Sequence, residues 1–280
     1  MSEASVSDIR ALKELLAQHN IRPNKALGQN FFIDAPRLCQ IADAARVEGE
    51  NVLEIGPGPG ALTEQLIPRA KRVVAVEKDA VMAALLTERF PDAENLTVIT
   101  GDALRFSPDE VFQGAPFRVV GNLPYYITTP IAERYLLLLP KSLTFMLQRE
   151  AAERFFARPN DRVYGPLAVL TAVLYRTERI MNIPRDCYYP QPEVDSAVIR
   201  LERRADGPES AAPSDAEDAR SFFAFLNTCF HMRRKTLINN LIGYPAPREA
   251  LEALGLPPAV RAEALPPETL LALYRLLRKA

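Results

Sequence analysis

Cysteine and histidine are scarce. Three cysteines, Cys39, Cys187 and Cys229, stand far apart in a chain of 280 residues, and the two histidines are His19 and His231. No CxxC pair occurs, so neither a disulfide framework nor a zinc site is expected. Long apolar runs are also missing: the longest purely aliphatic stretch, 136–139, is far too short to span a bilayer. The N-terminus carries Glu3 and Asp8 and has no apolar h-region, which argues against a signal peptide. These absences predict a reduced, cytosolic chain with no metal centre and no membrane association. Nor does charge of one sign dominate, since 34 Lys and Arg against 35 Asp and Glu leave a net charge of −1. That balance excludes little, because phosphate binding depends on where charge sits. Acid gathers at 92–94, 109–110 and 206–218; base gathers at 149–162, 200–204, 231–235 and 275–279.

What is present is a globular core. Apolar residues make up 48% of the chain, and the length suits one α/β domain of about 200 residues with a small appendage. Ile9, Leu12, Leu15 and Leu16 predict a short amphipathic helix, with Ser7 as its N-cap. Apolar, β-rich runs follow at 52–55, 73–76, 97–99, 119–120 and 143–146, with helix-like segments at 62–67, 80–89 and 130–139. Strands spaced roughly 20–25 residues apart are what a helix crossing between parallel strands requires. The pattern predicts a doubly wound α/β sheet, to which 194–201 adds a strand. Residues 205–218 (ADGPESAAPSDAED) read as a linker, and 222–241, 248–254 and 269–277 as helices. The expected organisation is an N-terminal extension (1–22), an α/β domain (23–204), the linker (205–218) and a small helical domain (219–280). No heptad or exposed strand points to an obligate dimer, so a monomer is expected.

At 52–60 the sequence VLEIGPGPG sends a strand into a glycine turn. Gly56, Gly58 and Gly60 permit positive φ and close approach of a ligand to the backbone. Such a turn alone is weak evidence. The spacing is not the GxGxxG of pyrophosphate-binding dehydrogenases, and no GK[ST] follows. Glu77 ends the next strand, where a carboxylate can accept both hydroxyls of a ribose. Asp102 follows the third strand, placed to accept from an adenine amine. Either acid alone reads equally as a helix cap or turn residue. Together they resemble the S-adenosylmethionine site of class I methyltransferases.

The fourth strand ends in GNLPYYI at 121–127, facing the same crevice. An adenine exocyclic amine is a poor nucleophile because its lone pair is delocalised into the ring. The Asn122 side-chain oxygen and the Leu123 carbonyl can accept its two N–H bonds, drawing the nitrogen toward tetrahedral geometry. Pro124 fixes the turn, and Tyr125 offers a stacking face for an extracted base. A plain Asn-x-Pro turn with a core tyrosine is the competing reading of this string.

Taken in order, these strings resemble the KsgA family of 16S rRNA adenine N6,N6-dimethyltransferases. The match runs through NKALGQNFF (24–32), VLEIGPGPGALT (52–63), AVEKD (75–79), GDAL, GNLPYYI, MLQREAAER (146–154), YGPLAVL (164–170), YYPQPEVDSAVIRL (188–201) and FHMRRKTLINNL (230–241). The resemblance implies a class I, Rossmann-like methyltransferase with a small C-terminal helical domain. The implied reaction moves four methyl groups from S-adenosylmethionine to two adjacent adenosines in the 3′-terminal hairpin loop of 16S rRNA within an immature 30S subunit. It implies cofactor contacts at Asn30, Phe32, Gly56, Glu77, Asp102 and Asn122, with Gly58 in the same turn. Asn122, Leu123, Pro124 and Tyr125 handle the target amine, and Tyr188 matches an aromatic, usually phenylalanine, that packs on the target base. Leu27, Tyr188 and Glu193 depart from the family's commoner aromatic, phenylalanine and lysine.

The basic string His231, Arg233, Arg234 and Lys235 falls in the predicted helix 222–241. It reads either as a solvated face or as a contact for RNA phosphates. Arg149, Arg154, Arg158 and Arg162 form a second such series. Three rivals stay open: a methyltransferase acting on large-subunit rRNA, a binding protein that checks ribosome assembly, and an enzyme methylating a glutamine amide.

Overall fold

The computed structural model describes residues 6–24, 28–204 and 212–279. Leu27 and the 205–211 part of the expected linker lie outside the described residues.

The chain begins with α1 (Ile9–Gln18), whose cap is Asp8 rather than Ser7. The Asp8 carboxylate accepts from the Arg10 and Ala11 amides, which serves the unpaired amides of the first turn. Then come β1 (Phe31–Phe32), α2 (Ala35–Ala45), β2 (Asn51–Ile55), α3 (Thr63–Leu66), β3 (Arg72–Glu77), α4 (Ala80–Arg89) and β4 (Leu96–Thr100). They are followed by α5 (Asp109–Phe112), β5 (Phe117–Asn122), α6 (Thr128–Leu136), β6 (Ser142–Gln148), α7 (Arg149–Phe156) and α8 (Pro166–Leu174). The remainder is β7 (Tyr175–Ile183), β8 (Tyr188–Tyr189), β9 (Ser196–Arg203), α9 (Ala216–Cys229), α10 (Leu237–Asn240), α11 (Pro247–Ala253) and α12 (Pro267–Lys279).

A seven-stranded sheet runs in the order β4-β3-β2-β5-β6-β9-β7, and β1 pairs with β8 apart from it. The five strands from β4 to β6 are parallel. Because β2 and β5 lie side by side, the order reverses between them, and the open crevice of a doubly wound sheet forms at such a point. β2, β3 and β6 are buried almost throughout, which is why they read as unbroken apolar runs. Leu38 and Ile41 of α2, Leu66 of α3, and Met82 and Leu85 of α4 pack with Val52 and Val73 in one core.

The chain divides into two compact units. The first comprises Met1–Tyr135, Pro140–Ala152 and Glu178–Leu201; the second comprises Leu136–Leu139, Glu153–Thr177 and Glu202–Ala280. The second unit therefore takes 153–177 from the region assigned above to the α/β domain. In it, Phe222 and Phe225 of α9 pack on Tyr274 of α12 with ring centroids 5.2 and 5.5 Å apart. Asp218, at the α9 N-terminus and 7% exposed, accepts from the Tyr274 hydroxyl at 2.8 Å and pairs with Arg275 at 2.7 Å and with Arg278. The segment 215–218, expected as linker, is the start of this helix, capped by the Asp215 carboxylate.

The helix expected over 222–241 is broken. Helix α9 ends at Cys229, and 231–235 forms turns before α10. The cause is Asn240, whose Nδ2 donates to the Cys229 carbonyl at 2.9 Å and whose Oδ1 accepts from the Met232 amide at 3.1 Å. A side-chain amide thus replaces the next helical hydrogen bonds.

Candidate active site

At the end of β2 the backbone turns through Gly56, Gly58 and Gly60, all with positive φ (65°, 55° and 89°). An L side chain is strained there, and space is short as well. A Cβ on Gly58 would sit 3.2 Å from the Phe31 ring, and one on Gly60 would sit 2.5 Å from Leu86. Gly56 and Gly58 line the crevice with bare backbone, whereas Gly60 is buried toward Leu86 of α4, and the Gly56 amide is held to the Val76 carbonyl at 3.0 Å.

Glu77 closes β3. Its Oε2 accepts from the Gly58 amide at 3.0 Å and its Oε1 from the Asp79 amide at 2.9 Å. Burial pushes its pKa up, while those amides pull it down. The cap of α4 is Asp79, not Glu77: the Asp79 carboxylate accepts from the Val81 amide and also from Gln29 Nε2 at 2.8 Å. Asp102 does serve as a turn residue, with Oδ1 accepting from the Leu104 amide at 2.9 Å. Its other oxygen pairs with Lys78 at 3.0 Å. The Leu104 amide and then Lys78 hold its carboxyl below the usual range against the cost of partial burial. Each acid keeps lone pairs for a ligand, since a carboxylate offers about four acceptor sites.

β5 ends at Asn122. The Asn122 Nδ2 donates to the Asn30 carbonyl at 3.1 Å, which leaves Oδ1 as the accepting side of the amide. The Leu123 amide donates to the Met146 carbonyl at 2.9 Å, fixing that peptide against β6. Pro124 then leads into a 3-10 turn over Tyr125–Ile127, and the Tyr125 hydroxyl meets Ser196 Oγ at 3.0 Å. The β1–β8 ladder places Phe32 opposite Tyr188, and their rings stand perpendicular with centroids 5.0 Å apart. Tyr188 is 3% exposed.

One cavity is lined by Asn30, Phe32, Gly56, Gly58, Glu77, Asp102, Asn122, Leu123, Pro124, Tyr125 and Tyr188. Every residue that the family resemblance assigns to the cofactor or the target amine lines it, while Gly60 of the glycine turn does not. The basic residues do not line this cavity. Arg149 lies in the first unit, whereas Arg154, Arg233, Arg234 and Lys235 lie in the second. Arg149 approaches Asp195 at 3.8 Å. Arg233 is engaged by Glu263 at 3.1 Å and by the Arg162 carbonyl at 2.8 Å; Arg234 and Lys235 are exposed.

The same cavity holds residues that sequence reasoning passed over. Lys78 pairs with Asp102, and Tyr126 lines the rim at 54% exposure. Glu54, buried on β2, accepts from Thr63. Glu54 left a signal, as an acid inside an otherwise apolar strand; Lys78 and Tyr126 left none, being ordinary in type and position.

Comparison with known proteins agrees with this geometry. The model of the family "Ribosomal RNA adenine dimethylase" matches residues 20–279. A Geobacillus thermodenitrificans protein named "Ribosomal RNA small subunit methyltransferase A" is 40% identical, the match covering 90% of each chain. A Clostridium perfringens protein of the same name is 41% identical, with 93% of this chain and 92% of the relative covered. Among solved structures, a dimethyladenosine transferase from Plasmodium falciparum matches with TM-score 0.70 and 25% identity over 87% of this chain and 96% of its own. The 23S rRNA methyltransferase ErmE matches with TM-score 0.64 and 30% identity, covering 89% of this chain and 100% of its own. The fold is that of the class I methyltransferases, and the chain belongs to the ribosomal RNA adenine dimethylase family.

Proposed function

We infer that this enzyme transfers methyl groups from S-adenosylmethionine to N6 of two adjacent adenosines in the 3′-terminal hairpin loop of 16S rRNA, giving N6,N6-dimethyladenosine. The observation that carries the reading is the disposition of Asn122. Its Nδ2 is committed to the Asn30 carbonyl, so Oδ1 is the accepting atom, in the cavity that Glu77 and Asp102 also line.

The donor set fits the cofactor. Bare glycine backbone accommodates a close ligand, Glu77 has acceptor capacity for ribose hydroxyls, and Asp102 can accept from an adenine amine. Asn30 and Phe32 complete that side, and carboxylates around the turn suit a cationic ligand. When bound, the cofactor supplies an activated methyl group on a good leaving group. The chain's own part is to position and polarise the base. Asn122 Oδ1 and the Leu123 carbonyl accept the two amine N–H bonds, which restores nucleophilic character to the nitrogen. Tyr125 and Tyr188 offer aromatic faces to the flipped adenine, and Pro124 holds the turn. No side chain is required as a general base, because the methylated ammonium loses its proton to water.

Arg149, Arg154, Arg233, Arg234 and Lys235 are assigned to RNA phosphates. The substrate form is an immature 30S subunit, the enzyme acts as a monomer, and its place is the cytosol. No described helix is long and apolar enough to cross a membrane. The test is transfer of labelled methyl groups to unmodified 30S subunits and, separately, to 23S rRNA, with mass spectrometry of the products. Dimethyladenosine at adjacent positions of the 16S 3′ loop is expected. Label in 23S rRNA alone would move the substrate to the one named for ErmE.

A further inference from the structure

Glu54 is the buried ionisable group at this site that the methyl transfer does not use. It sits on β2 two residues before Gly56, is 2% exposed, and lines the same cavity. Its neighbours in the sheet register are Ala75 on β3 and Val120 on β5, neither of which brings charge. From α3 the Thr63 hydroxyl donates to Glu54 Oε2 at 2.7 Å. The charged group that faces it is Glu77, at the end of β3, whose like charge opposes its ionisation.

We propose that Glu54 is a proton site coupled to cofactor capture: its carboxyl releases its proton to solvent when the cationic methionine end of the cofactor seats against the Gly56–Gly60 turn. The inference rests on the S-adenosylmethionine assignment above. Burial, with the Glu77 charge adding to it, pushes the Glu54 carboxyl up to about 8, so the neutral form predominates at pH 7. A neutral acid beside a ligand bearing sulfonium and ammonium charges forgoes a favourable interaction in a site of low dielectric. Ionisation recovers it, and the displaced proton goes to buffer. The cavity then holds an anion for the cation only while the cation is present, which relieves the repulsion between Glu54 and Glu77 at other times. By linkage, the dissociation constant falls by about tenfold per pH unit below pH 7 and levels off above about pH 8.

The experiment is calorimetric titration of the full chain with S-adenosylmethionine at pH 7, in buffers of low and high ionisation enthalpy. Wild type is expected to release more than half a proton per site. Glu54→Gln, which keeps an acceptor for Thr63, is expected to lose that fraction and flatten the pH dependence. Thr63→Val, which removes the donor and holds the carboxyl neutral further up the pH scale, is expected to carry proton release to higher pH. Binding by wild type without buffer-dependent heat, or equal release by Glu54→Gln, overturns the role of Glu54 and leaves the cofactor assignment standing. No binding by wild type overturns both.

Discussion

Tyr188 carries a buried hydroxyl that makes no hydrogen bond of normal geometry among the described residues, the Ser196 hydroxyl beside it being engaged by Tyr125. Leaving such a group unpaired costs about 1–3 kcal/mol. Tyr188→Phe should therefore leave thermal stability unchanged or raise it by about 1 kcal/mol, while keeping the ring on Phe32. A drop in melting temperature would show that the hydroxyl is bonded after all. Gly58→Ala adds a Cβ at positive φ within 3.2 Å of the Phe31 ring. It should weaken cofactor binding about tenfold or more, at a strain cost of about 1–2 kcal/mol, readable by calorimetry; unchanged affinity would mean that the turn adapts. Residues at this scale were legible in the sequence where they end strands. Glu77, Asp102 and Asn122 could be placed because a strand followed by a turn fixes where the side chain emerges. Ser196 and Asn30 could not be paired with Tyr125 and Asn122, since those contacts join positions 71 and 92 residues apart.

Among the elements, α8 shows where periodicity gives out. Its sequence PLAVLTAVL is buried nearly all round, so it has no polar stripe from which a helix could be read. The parallel strands were legible for the opposite reason, as short apolar runs bounded by turns. The break after Cys229 was hidden because it depends on the Asn240 side chain reaching back 11 residues. Asn240→Ala should lower stability by about 1 kcal/mol and increase amide exchange over 229–235. Asp218 holds α9 to α12 through Tyr274, Arg275 and Arg278. Removing an acceptor of charged hydrogen bonds costs about 2 kcal/mol, so Asp218→Ala should lower the melting temperature; an unchanged melt would mean these contacts add nothing. Burial opposes ionisation of Asp218, but the Arg275 and Tyr274 hydrogen bonds outweigh it and lower its pKa. The unfolded chain therefore takes up the proton first as pH falls. This contribution is present above the usual carboxylate range and is lost on acidification through the lower folded value.

For the whole molecule, net charge said almost nothing about RNA, and the exposed cations say more. Arg233 is engaged by Glu263 and the Arg162 carbonyl, so Arg234 and Lys235 should contribute more to phosphate binding. Neutralising both should flatten the dependence of log K on log salt by about 1.5, at roughly 0.7–0.9 per phosphate contact; an unchanged slope would make this string a solvated turn. The central claim is that one cavity holds the cofactor while Asn122 activates the adenine amine. It is tested most directly by measuring cofactor binding and single-turnover methyl transfer to 30S subunits for wild type and Asn122→Ala. The account predicts transfer slowed by about 10²–10³-fold, with cofactor affinity reduced by much less. Transfer by Asn122→Ala at the wild-type rate, with cofactor bound equally well, would contradict it.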